Sequence, residues 1–591
     1  MISSESAARS KHTEEPVSTT ETVLDRRIEP RWVIAERPDS VISSRLRDEL
    51  PVSSMMAKIL INRGIEDVDF ARAFLEPRLE DLIDPFTMRD MPAASARIWQ
   101  AIDANEQILV HGDYDVDGVT STALLVRTLG ALGATVTFYI PNRLEEGYGI
   151  SHEAIDSCVA HGTTLLISVD CGITATAETL YAKENGVDVI ITDHHQSGVL
   201  PEAIAVVNPK RPDCDYPFKE LSGVALAFKL SDAVYRDRGV DPEPVYRNMD
   251  LVALGCAADI VPLVGENRIL VSNGLRRMER TENEGLKALL RGAKLTGRRL
   301  GTSPLIFVLA PRINALGRMG SALDAVTMLT TDDPAQAVQI VGVLETQNRV
   351  RRQVDDRMYR EAVELVEQEP DLSSARALVL ASDSWHPGVI GIVASRIAER
   401  VHLPTVLISL DGDRGKGSAR SIAGFDLYEA VSRCQEYLVA FGGHKYAAGL
   451  TIDRDQVDVF RKALVSVAEE MMVPENLTPR LEIDDEITLD QIDRRMVEML
   501  RRFAPFGPQN PRPVMVSRGV EVVGAPSVVG RNHLRFKARQ NGAVLDCIGY
   551  NLGHLTYRLT PGEANLDMAY VIEENEWRGR KDIQLRVSDL R

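Results

Sequence analysis

Residues 107–118 read QILVHGDYDVDG, a short apolar run that leads directly into three aspartates. The stretches LLISVDCG at 165–172 and VIITDHH at 189–195 have the same form, an apolar run followed by acidic residues or histidines. Apolar runs of this length, separated by helical patterns, are typical of a parallel sheet with crossover helices. Ligand sites in open parallel sheets lie beyond the carboxyl ends of the strands. The sequence therefore predicts an acidic site at one edge of such a sheet.

The same periodicities extend this fold along the chain. A helix is predicted over 119–132, after the first strand, and another near 389–401 in a second α/β block. The predicted strands cover residues 107–110, 135–140, 164–169, 187–192 and 204–207, and then 377–381 and 405–410. The predicted fold class is α/β: two α/β lobes joined by a long helix, with a small OB-fold-like β-barrel at the end of the chain.

Changes in composition and periodicity divide the chain into six segments. The first residues are rich in Ser, Thr and Glu and lack periodicity, which is typical of a disordered, solvated tail. Residues 335–368 contain one Gly and no Pro and are expected to form one connecting helix. The expected order is a tail at 1–44, a helical cap at 45–106, the first lobe at 107–334, the connecting helix at 335–368, the second lobe at 369–470 and the barrel domain at 471–591.

The composition excludes several classes of protein. A chain of 591 residues that is 44% hydrophobic and 26% charged is globular rather than fibrous or disordered. It has no run of 18 apolar residues and no apolar core near its start, so we expect neither a membrane span nor a secretory signal. The six cysteines form no CxxC pair, which argues against a zinc ribbon or a disulfide framework and favours a cytoplasmic location.

The clustered carboxylates and histidines predict a metal site. Carboxylates crowded at one sheet edge repel each other, and a divalent cation is the usual remedy. Carboxylates and imidazoles without thiolates suit Mn²⁺ or Mg²⁺, with the imidazoles favouring Mn²⁺, and so many ligands indicate two cations. Two such cations can lower the pKa of a bridging water and clamp phosphate oxygens, as in phosphoester hydrolysis. The candidates are Asp113, Asp115, Asp117, Asp170, Asp193, His194, His195, Asp259 and His111.

Several candidates have a second interpretation. A single Asp after a strand is more often a helix cap or turn residue than a metal ligand. Asp113 either binds a cation or orients other groups, and His111 either binds a cation or caps its loop. Asp193 is also a candidate for fixing the tautomer of a ligating histidine. The metal prediction therefore depends on the whole set rather than on any one residue.

In eight places the sequence resembles the DHH phosphoesterase superfamily and, within it, the RecJ family of single-strand-specific exonucleases. The resemblance extends from about residue 50 to residue 591. Four motifs correspond to the metal site: HGDYDVDG at 111–118, VDCGIT at 169–174, TDHH at 192–195 and ADIVPL at 258–263. The other four are PRINALGR at 311–318, SWHPGVIGIVASR at 384–396, GKGSARS at 415–421 and FGGHKYAAG at 441–449. Each motif is short, but their common order is specific.

The resemblance implies that the two lobes are a DHH phosphoesterase domain and a DHH-associated domain. It also implies a role for each acidic position. Asp115 is expected to ligate one cation, Asp117 and His194 the other, with Asp170 bridging the two and Asp259 completing the set. The expected catalytic residues are His195, which is placed close to the scissile phosphate, Asp113 and His194.

The second lobe is expected to hold a phosphate. GKGSARS combines glycines, which permit close backbone approach, with an Arg and two hydroxyls, and these groups bind anions; an ordinary glycine-rich turn is the alternative. The resemblance implies that Ser418, Arg420 and Arg312 grip a 5′-terminal phosphate, so that mononucleotides are released in the 5′ to 3′ direction. Ser421, Asn314, Arg318, His386 and His444 are further substrate-binding candidates, with a salt-bridge patch or hydrogen-bonded loop histidines as alternatives.

The last domain is expected to bind a single strand. The chain carries a net charge of −18, yet residues 511–591 contain twelve Lys and Arg against nine Asp and Glu. The segment NHLRFKAR at 532–539 alternates strictly between apolar and basic residues, as in a strand of a small barrel. A basic face with an aromatic suits phosphate contacts and base stacking, although basic strand faces are often merely solvated. The expected single-strand platform consists of Arg535, Lys537, Arg539 and Trp577.

These features favour a 5′ to 3′ exonuclease for single-stranded DNA with two divalent cations, Mn²⁺ preferred over Mg²⁺, acting in DNA repair and recombination. One alternative is a DHH hydrolase of oligoribonucleotides, cyclic dinucleotides or pyrophosphate, which does not need the basic barrel. Another is a replication scaffold of the same fold, which should have lost metal ligands that this chain retains. The expected partners are single-stranded DNA, a helicase and a single-strand-binding protein, and the protein is expected to be a monomer without a membrane partner.

Overall fold

A computed structural model describes residues 28–36, 39–143, 146–369, 372, 374–530, 532–577 and 580–591, without the side chains of 576, 577 and 580. The chain divides into two compact units. The first unit consists of 32–352 and 481–591, and the second of 353–480 together with the described residues up to 31. No helix of the described ranges is long and apolar enough to span a bilayer.

The N-terminal elements belong to two different cores of the first unit. Strand β1 pairs with β12 (Arg480–Ile483), so the expectation of an unstructured tail up to 44 is wrong for its last part. The helices of 40–75 share a hydrophobic core with the C-terminal barrel, whereas the helix of 91–103 packs on the first sheet. The expected single cap at 45–106 is thus divided between two neighbours. These elements are β1 (Arg31–Ile34), α1 (Ser40–Glu49), α2 (Ser54–Asn62), α3 (Val68–Leu75) and α4 (Met91–Asp103).

The first sheet has five parallel strands in the order β3-β2-β4-β5-β6, which confirms the predicted parallel α/β fold. Its central strands are apolar and buried, because helices cover both faces. The strands are β2 (Gln107–His111), β3 (Thr135–Tyr139), β4 (Thr163–Val169), β5 (Asp188–Thr192) and β6 (Ala205–Val207). The helices between and after them are α5 (Val116–Ala131), α6 (His152–Ala160), α7 (Thr176–Glu184) and α8 (Gly223–Asp237).

A group of helices follows the sheet and completes this part of the first unit. Helix α10 is buried along nearly its whole length and packs against α5, α8 and α11. The boundary between the two units falls within the long helix α16. These helices are α9 (Glu243–Arg247), α10 (Met249–Ala258), α11 (Gly265–Met278), α12 (Glu284–Gly292), α13 (Thr302–Pro304), α14 (Ala310–Met319), α15 (Leu323–Thr330) and α16 (Pro334–Glu367).

The second unit contains a five-stranded sheet in the order β10-β11-β9-β8-β7, in which only β7 and β8 are parallel. Helix α17 packs on β8 and β9. The strands are β7 (Leu378–Ser382), β8 (Thr405–Asp411), β9 (Arg414–Arg420), β10 (Ala440–His444) and β11 (Ala447–Asp453). The helices are α17 (Ile390–Val401), α18 (Leu427–Ser432) and α19 (Val457–Met471).

The last part of the chain forms the expected barrel. Strand β14 pairs with both β15 and β17, so the five strands β14-β15-β16-β18-β17 close on themselves. A closed five-stranded barrel of this length is consistent with an OB-fold. The elements are β12 (Arg480–Ile483), β13 (Asp485–Glu486), α20 (Arg494–Arg501), β14 (Met515–Val529), β15 (His533–Gln540), β16 (Ala543–Gly549), β17 (Ala564–Trp577) and β18 (Arg580–Leu590).

Candidate metal centre and substrate-binding residues

The carboxyl ends of β2, β4 and β5 bring three acidic segments to one edge of the sheet, because these neighbouring strands are parallel. The loop after β2 leads into α5, and Asp115 caps this helix. Its Oδ1 accepts hydrogen bonds from the amides of Asp117, at 2.9 Å, and Gly118, at 3.1 Å. The cap fixes one carboxylate oxygen and thereby sets the orientation of the whole group toward the sheet edge.

Asp117 is held by the start of α8. Its Oδ2 accepts a hydrogen bond from the Gly223 amide at 2.6 Å, and its Oδ1 accepts one from the Val224 amide at 2.9 Å. The side chain is buried. Burial, and then the charge of Asp115, raises the pKa of Asp117 to about 7. A buried carboxylate beside a second one is stable in its charged form only with a compensating cation.

Asp170 follows β4 in a left-handed backbone conformation, with φ +60°, which is unfavourable for a residue other than glycine. Two hydrogen bonds hold this turn: the Asp170 amide donates to the Thr192 carbonyl at 3.0 Å, and the Tyr148 hydroxyl donates to the Asp170 carbonyl at 3.0 Å. Burial, followed by the charges of Asp117 and the other aspartates of the site, raises the pKa of Asp170 well above its ordinary value. The strained turn directs a buried carboxylate into the acidic cluster.

His194 lies between two carboxylates. Its Nε2 is 3.2 Å from Asp170 Oδ1 and 3.6 Å from Asp259 Oδ2. Burial, and then the charge of His195, lowers the pKa of His194 to about 3, so the imidazole is neutral at physiological pH. A neutral imidazole is the form that ligates a metal ion. Burial likewise raises the pKa of Asp259 well above its ordinary value.

His195 is oriented by Asp193. The fully buried Asp193 carboxylate accepts hydrogen bonds from Nδ1 of His195 at 2.7 Å, from its amide at 3.0 Å and from the Ile173 amide at 2.9 Å. Burial alone would lower the pKa of His195, but the hydrogen bond and charge of Asp193 outweigh it and raise that pKa. For Asp193, burial is outweighed in the same way, and its pKa is lowered. Asp193 thus acts on His195 as an orienting carboxylate.

The donor set fits divalent cations. Five buried atoms of the cluster have no hydrogen-bond partner among the described residues, and buried polar atoms are otherwise almost always satisfied. These atoms are Asp113 Oδ1, Asp170 Oδ1, Asp259 Oδ2 and both ring nitrogens of His194. Within the described chain, three overlapping groups each offer ligand atoms within 4.8 Å of one another. The groups are Asp113, Asp115 and Asp170; Asp117, His194 and Asp259; and Asp170, His194 and His195.

His111 is not a member of these three groups. Its ring stacks on Tyr139 with centroids 5.5 Å apart, and its Nδ1 is 3.6 Å from the Cys171 sulfur. Burial lowers the pKa of His111 to about 4, so the imidazole is neutral. Asp113, in contrast, is a member, and burial raises its pKa well above the ordinary value. The stacked ring suits a residue that supports the loop, whereas the buried Nε2 has no hydrogen-bond partner among the described residues, as in the cation ligands, so both interpretations of His111 stay predictions.

Sequence reasoning missed three residues of this site. Tyr148 stands between two glycines of the GYG sequence at 147–149, its hydroxyl is 3.2 Å from His195 Nδ1, and half of the side chain is exposed. Lys210, after β6, places a positive charge near Asp259 and both histidines of the site. Gly223 permits α8 to approach Asp170. Of these residues, only Tyr148 has a signal in the sequence, an aromatic residue flanked by glycines after a strand. The roles of Lys210 and Gly223 depend on tertiary contacts.

The predicted residues of the PRINALGR motif lie on α14, which packs against the metal-site loop. A Cβ added to Gly317 would be 2.7 Å from the Tyr114 carbonyl. Arg312 makes an ion pair with Glu345, with Nε 2.7 Å from Oε1, and also donates to the Val308 carbonyl. Asn314 Oδ1 is buried without a hydrogen-bond partner among the described residues. Arg318 occupies the last turn of the same helix.

Ser418 and Arg420 of the second unit lie beside the start of α17. Ser418 and Arg420 lie on the same face of β9, and Arg420 Nη1 donates to Ser418 Oγ at 2.9 Å. A Cβ added to Gly391, at the start of α17, would be 2.7 Å from Arg420 and 3.0 Å from Ser418. His444 lies in the same cross-strand row as Arg420, through Ala447. An Arg, a hydroxyl and a helix N-terminus together form an anion-binding arrangement.

Ser421 and His386 have other partners. The Ser421 hydroxyl donates to the Phe425 carbonyl at 2.9 Å and closes the turn after β9. His386 Nδ1 accepts a hydrogen bond from the Gly388 amide at 3.1 Å, and the His386 carbonyl accepts from Val389 and Ile390 at the start of α17. Burial, and then the charge of Arg357, lowers the pKa of His386. These contacts assign both residues a part in shaping the local loops.

The predicted basic face of the barrel is present but largely neutralised. Arg535, Lys537 and Arg539 project outward from β15, while the residues between them are buried. Lys537 pairs with Asp546 at 3.0 Å, and Arg539 makes a bidentate ion pair with Glu521. The side chain of Trp577 lies outside the described residues. The net positive charge of the barrel segment is therefore not an open basic stripe on this strand.

Exposed aromatics lie elsewhere on the barrel. Tyr557 is 75% exposed, and the guanidinium of Arg558 lies 5.6 Å from its ring centroid. Tyr550 is 55% exposed and contacts His533 edge to face. Aromatic rings beside cations are the usual means of holding single-stranded nucleic acid. Sequence reasoning missed both tyrosines because neither stands in an alternating basic segment.

The parallel sheet with its acidic cluster at the strand ends defines a metal-dependent phosphoesterase of the DHH class. The DHH family, N-terminal domain, matches residues 107–256, the DHHA1 domain matches 374–470, and the RecJ OB domain matches 483–589. The chain belongs to the RecJ family.

Relatives and solved structures match over most of the chain. The single-stranded-DNA-specific exonuclease RecJ of Bacillus subtilis is 40% identical over 566 residues, which is 95% of this chain and 70% of the relative. The corresponding protein of Escherichia coli is 32% identical, over 92% of this chain and 96% of its own. The crystal structure of RecJ with Mn²⁺ from Thermus thermophilus has a TM-score of 0.81, 32% identity and coverage of 95% of this chain and 79% of its own. The Mg²⁺ complex from the same organism has a TM-score of 0.75, 30% identity and coverage of 95% of this chain and 78% of its own.

Proposed function

We propose that this protein is a metal-dependent exonuclease that degrades single-stranded DNA from the 5′ end and releases 5′-mononucleotides. The observation that carries the proposal is the set of buried, unsatisfied donor atoms around His194, at the strand ends of a sheet whose relatives are single-strand-specific exonucleases. Asp115, Asp117, Asp170, His194 and Asp259 would hold two divalent cations, Mn²⁺ in preference to Mg²⁺. Cations bound there supply a water of lowered pKa and neutralise charge on the phosphate.

The protein groups around the cluster have separate tasks in this proposal. Asp193 accepts a hydrogen bond from Nδ1 of His195, so Nε2 is the nitrogen that acts on the substrate. The hydrogen bond and charge of Asp193 outweigh burial and raise the pKa of His195, which favours the protonated imidazole and suits it to donate a proton to the leaving oxygen. Asp113 supports the neighbouring carboxylates, and Tyr148 fixes the turn of Asp170.

We further propose that the arrangement of Ser418, Arg420, Gly391 and His444 holds the 5′-terminal phosphate of the strand. The Arg420 guanidinium and the start of α17 are both suited to a doubly charged phosphate. Arg312, Asn314 and Arg318 on α14 are proposed to contact the strand beside the metal centre, because α14 packs on the loop that carries Asp113 and Asp115. Binding of the terminal phosphate selects an end, which makes the activity exonucleolytic.

For the barrel, our proposed strand-binding surface is still the outward face of β15 with Arg535, Lys537 and Arg539, together with Trp577. Arg535 is the cation of this face that has no ion pair among the described residues, whereas Lys537 and Arg539 would exchange their carboxylate partners for phosphates. The exposed Tyr550 and Tyr557 extend it. We also propose that a helicase and a single-strand-binding protein supply the substrate during repair and recombination, and that the protein acts as a cytoplasmic monomer. The segments 107–334, 369–470 and 471–591 stay our proposed functional domains, with the helix at 335–368 between the first two, whereas the segment 45–106 is divided between the cores of the first sheet and of the barrel.

The proposal is tested by a timed digest of single-stranded DNA with a 5′ phosphate and a 3′ label in Mn²⁺, beside a matched duplex and an RNA strand. We expect mononucleotides from single-stranded DNA alone. Asp170→Asn should lower the rate by more than about 100-fold while strand binding is retained, because a shared metal ligand is lost. Asp332→Asn, at a carboxylate that is 91% exposed, is the matched control. Hydrolysis of di- or trinucleotides only would assign the chain to the small-substrate DHH hydrolases instead.

A further inference from the structure

A second basic surface lies on the helical part of the first unit. Residues 276–299 contain eight Lys and Arg against three Asp and Glu, in a chain whose net charge is −18. The segment covers the end of α11, all of α12 and the loop that follows it. Such a local excess of one charge sign in an oppositely charged protein indicates a partner of the other sign.

Four of the eight basic side chains of this segment line one cavity of about 260 Å³. Lys287 and Arg291 are four residues apart on α12 and share one face of the helix. Arg280 approaches from the loop before α12, and Arg298 approaches from the loop after it. Buried apolar residues form the floor of the cavity: Met278, Leu290 and Leu300.

These charges are mostly uncompensated within the protein. Lys287 pairs with Glu284 at 2.7 Å. Arg280, Arg291 and Arg298 have no carboxylate within 4.0 Å among the described residues, and all three are exposed. The acidic residue that lines the cavity, Glu279, uses its Oε1 to accept a hydrogen bond from the Leu300 amide at 3.0 Å. Three guanidinium groups are thus left to bind an anion.

This surface is separate from the metal centre. Asp259 follows the last residue of α10, whereas Met249 begins that helix, so the two ends are about 15 Å apart at 1.5 Å per residue. Helix α11 returns alongside, and its Gly274 packs on the Met249 carbonyl. Arg276 and the cavity beyond it therefore lie at the end of α10 that is remote from Asp259.

The guanidinium groups and the volume of the cavity indicate the kind of ligand that it binds. Guanidinium forks match phosphate geometry. A cavity of about 260 Å³ is smaller than the roughly 300–1,000 Å³ of sites that enclose a small molecule, so it accommodates part of an extended ligand. We propose that Arg280, Arg291 and Arg298 bind phosphodiester groups of the single-stranded DNA substrate at a distance from the metal centre. This inference rests on the proposed function and adds a second contact with the same strand.

The test uses the full chain with Arg280→Gln, Arg291→Gln and Arg298→Gln combined. Binding is measured in an Asp170→Asn background, which leaves the strand intact. The affinity for a strand of about 40 nucleotides should fall at least tenfold. The slope of log affinity against log salt concentration should become shallower by about 2, because three phosphate contacts are lost. With Asp170 restored, the rate on a 5′-phosphorylated trinucleotide should be unchanged, because so short a strand ends before the cavity. Thermal melting should also be unchanged, since the three side chains are exposed and unpaired in the described structure.

The matched control combines Arg72→Gln, Arg494→Gln and Arg495→Gln, which removes the same charge from exposed positions on α3 and α20. Unaltered affinity and salt slope on the long strand would overturn the proposal. An equal loss of hydrolysis rate on the trinucleotide would also overturn the proposal, because the arginines would then belong to the catalytic machinery. Loss of binding to a polyglutamate peptide, with DNA binding intact, would assign the surface to an acidic polypeptide. If the proposed nuclease activity itself failed, the wild-type rate would be zero while the binding measurements remained readable.

Discussion

A Cβ atom added to Gly223 would lie 2.7 Å from Oδ1 of Asp170. The amide of the same glycine donates a hydrogen bond to Asp117 Oδ2 at 2.6 Å. The start of α8 therefore touches two of the proposed metal ligands at once, one through van der Waals contact and one through a hydrogen bond. The distance between these carboxylates is set by a residue without a side chain, because any larger residue would push the helix away from the sheet edge.

Gly223→Ala should lower the hydrolysis rate by about tenfold to 100-fold, since displacement of ligand-supporting groups costs this much in comparable metal sites. The measurement is the Mn²⁺ concentration for half-maximal activity, which should rise in the variant. Gly130→Ala is the control: it also lies in a helix, on α5, but its added Cβ meets nothing within 4 Å. If the two variants needed the same Mn²⁺ concentration for half-maximal activity, the result would contradict the proposed role of Gly223.

The parallel strands β2 to β6 and, in the second sheet, β7 and β8 could be predicted from the sequence because they are apolar runs. The other strands of the second sheet, β9, β10 and β11, are interrupted by glycines and were not predicted. The acidic ends of β2, β4 and β5 could be predicted for the same reason, since parallel neighbours bring their carboxyl ends together. A tautomer-fixing role of Asp193 toward a nearby histidine was also an expectation from the sequence, because Asp193 stands within two residues of His194 and His195. All of these inferences use information that is local in the sequence.

The remaining features depend on contacts between distant segments. The helices of 40–75 share their core with a barrel more than 400 residues later, so no local pattern could separate them from an independent cap. Because of the same shared core, a protein that lacked residues 511–591 would also expose the apolar faces of α1, α2 and α3. The ion pairs of Lys537 and Arg539 likewise come from neighbouring strands, whose register the sequence alone does not define.

Arg420→Ala should reduce the preference for strands with a 5′ phosphate over strands with a 5′ hydroxyl by about tenfold to 100-fold. A hydrogen bond to a charged group contributes about 1.5–3 kcal/mol, and this variant loses the proposed contact between the guanidinium and the phosphate. The ratio of kcat/KM for the two substrates measures the effect. Arg414→Ala, on the same strand but exposed and near its other end, should leave the ratio unchanged. If Arg420→Ala left this ratio of kcat/KM values unchanged, the terminal phosphate would not bind at this site.

The free energy of unfolding of the protein without divalent cations should fall as the pH rises from 6.5 to 8. The pKa of Asp117 is raised to about 7, and burial also raises the pKa values of Asp113, Asp170 and Asp259 well above their ordinary range, so the folded state holds protons that the unfolded state has lost. Stability then decreases with pH until these groups ionise, by up to about 1.4 kcal/mol per group and pH unit. His195, with a raised pKa, acts in the same direction.

Two buried histidines set the lower limit of the pH range over which the free energy of unfolding falls. His111 and His194 have lowered pKa values, about 4 and about 3, so they oppose the trend only below pH 6.5. Mn²⁺ competes with protons for the carboxylates, and its stabilisation of the fold should therefore be larger at pH 8 than at pH 6.5. Thermal melting with Mn²⁺ and with EDTA at the two pH values measures this difference. If Mn²⁺ raised the melting temperature less at pH 8 than at pH 6.5, the result would contradict the proposal that the cluster binds cations.

Tyr148→Phe should raise the Mn²⁺ concentration for half-maximal activity by about fivefold, with most of the maximal rate recovered at saturating Mn²⁺. The lost hydroxyl donates to the carbonyl of Asp170, and one such bond contributes about 1 kcal/mol to holding its left-handed turn. Tyr181→Phe is the matched control, because its hydroxyl donates to Asp156 on the surface of the same unit. If Tyr148→Phe lost maximal rate at every Mn²⁺ concentration without a change in half-activation, the hydroxyl would act on the substrate or on His195 rather than through the Asp170 turn.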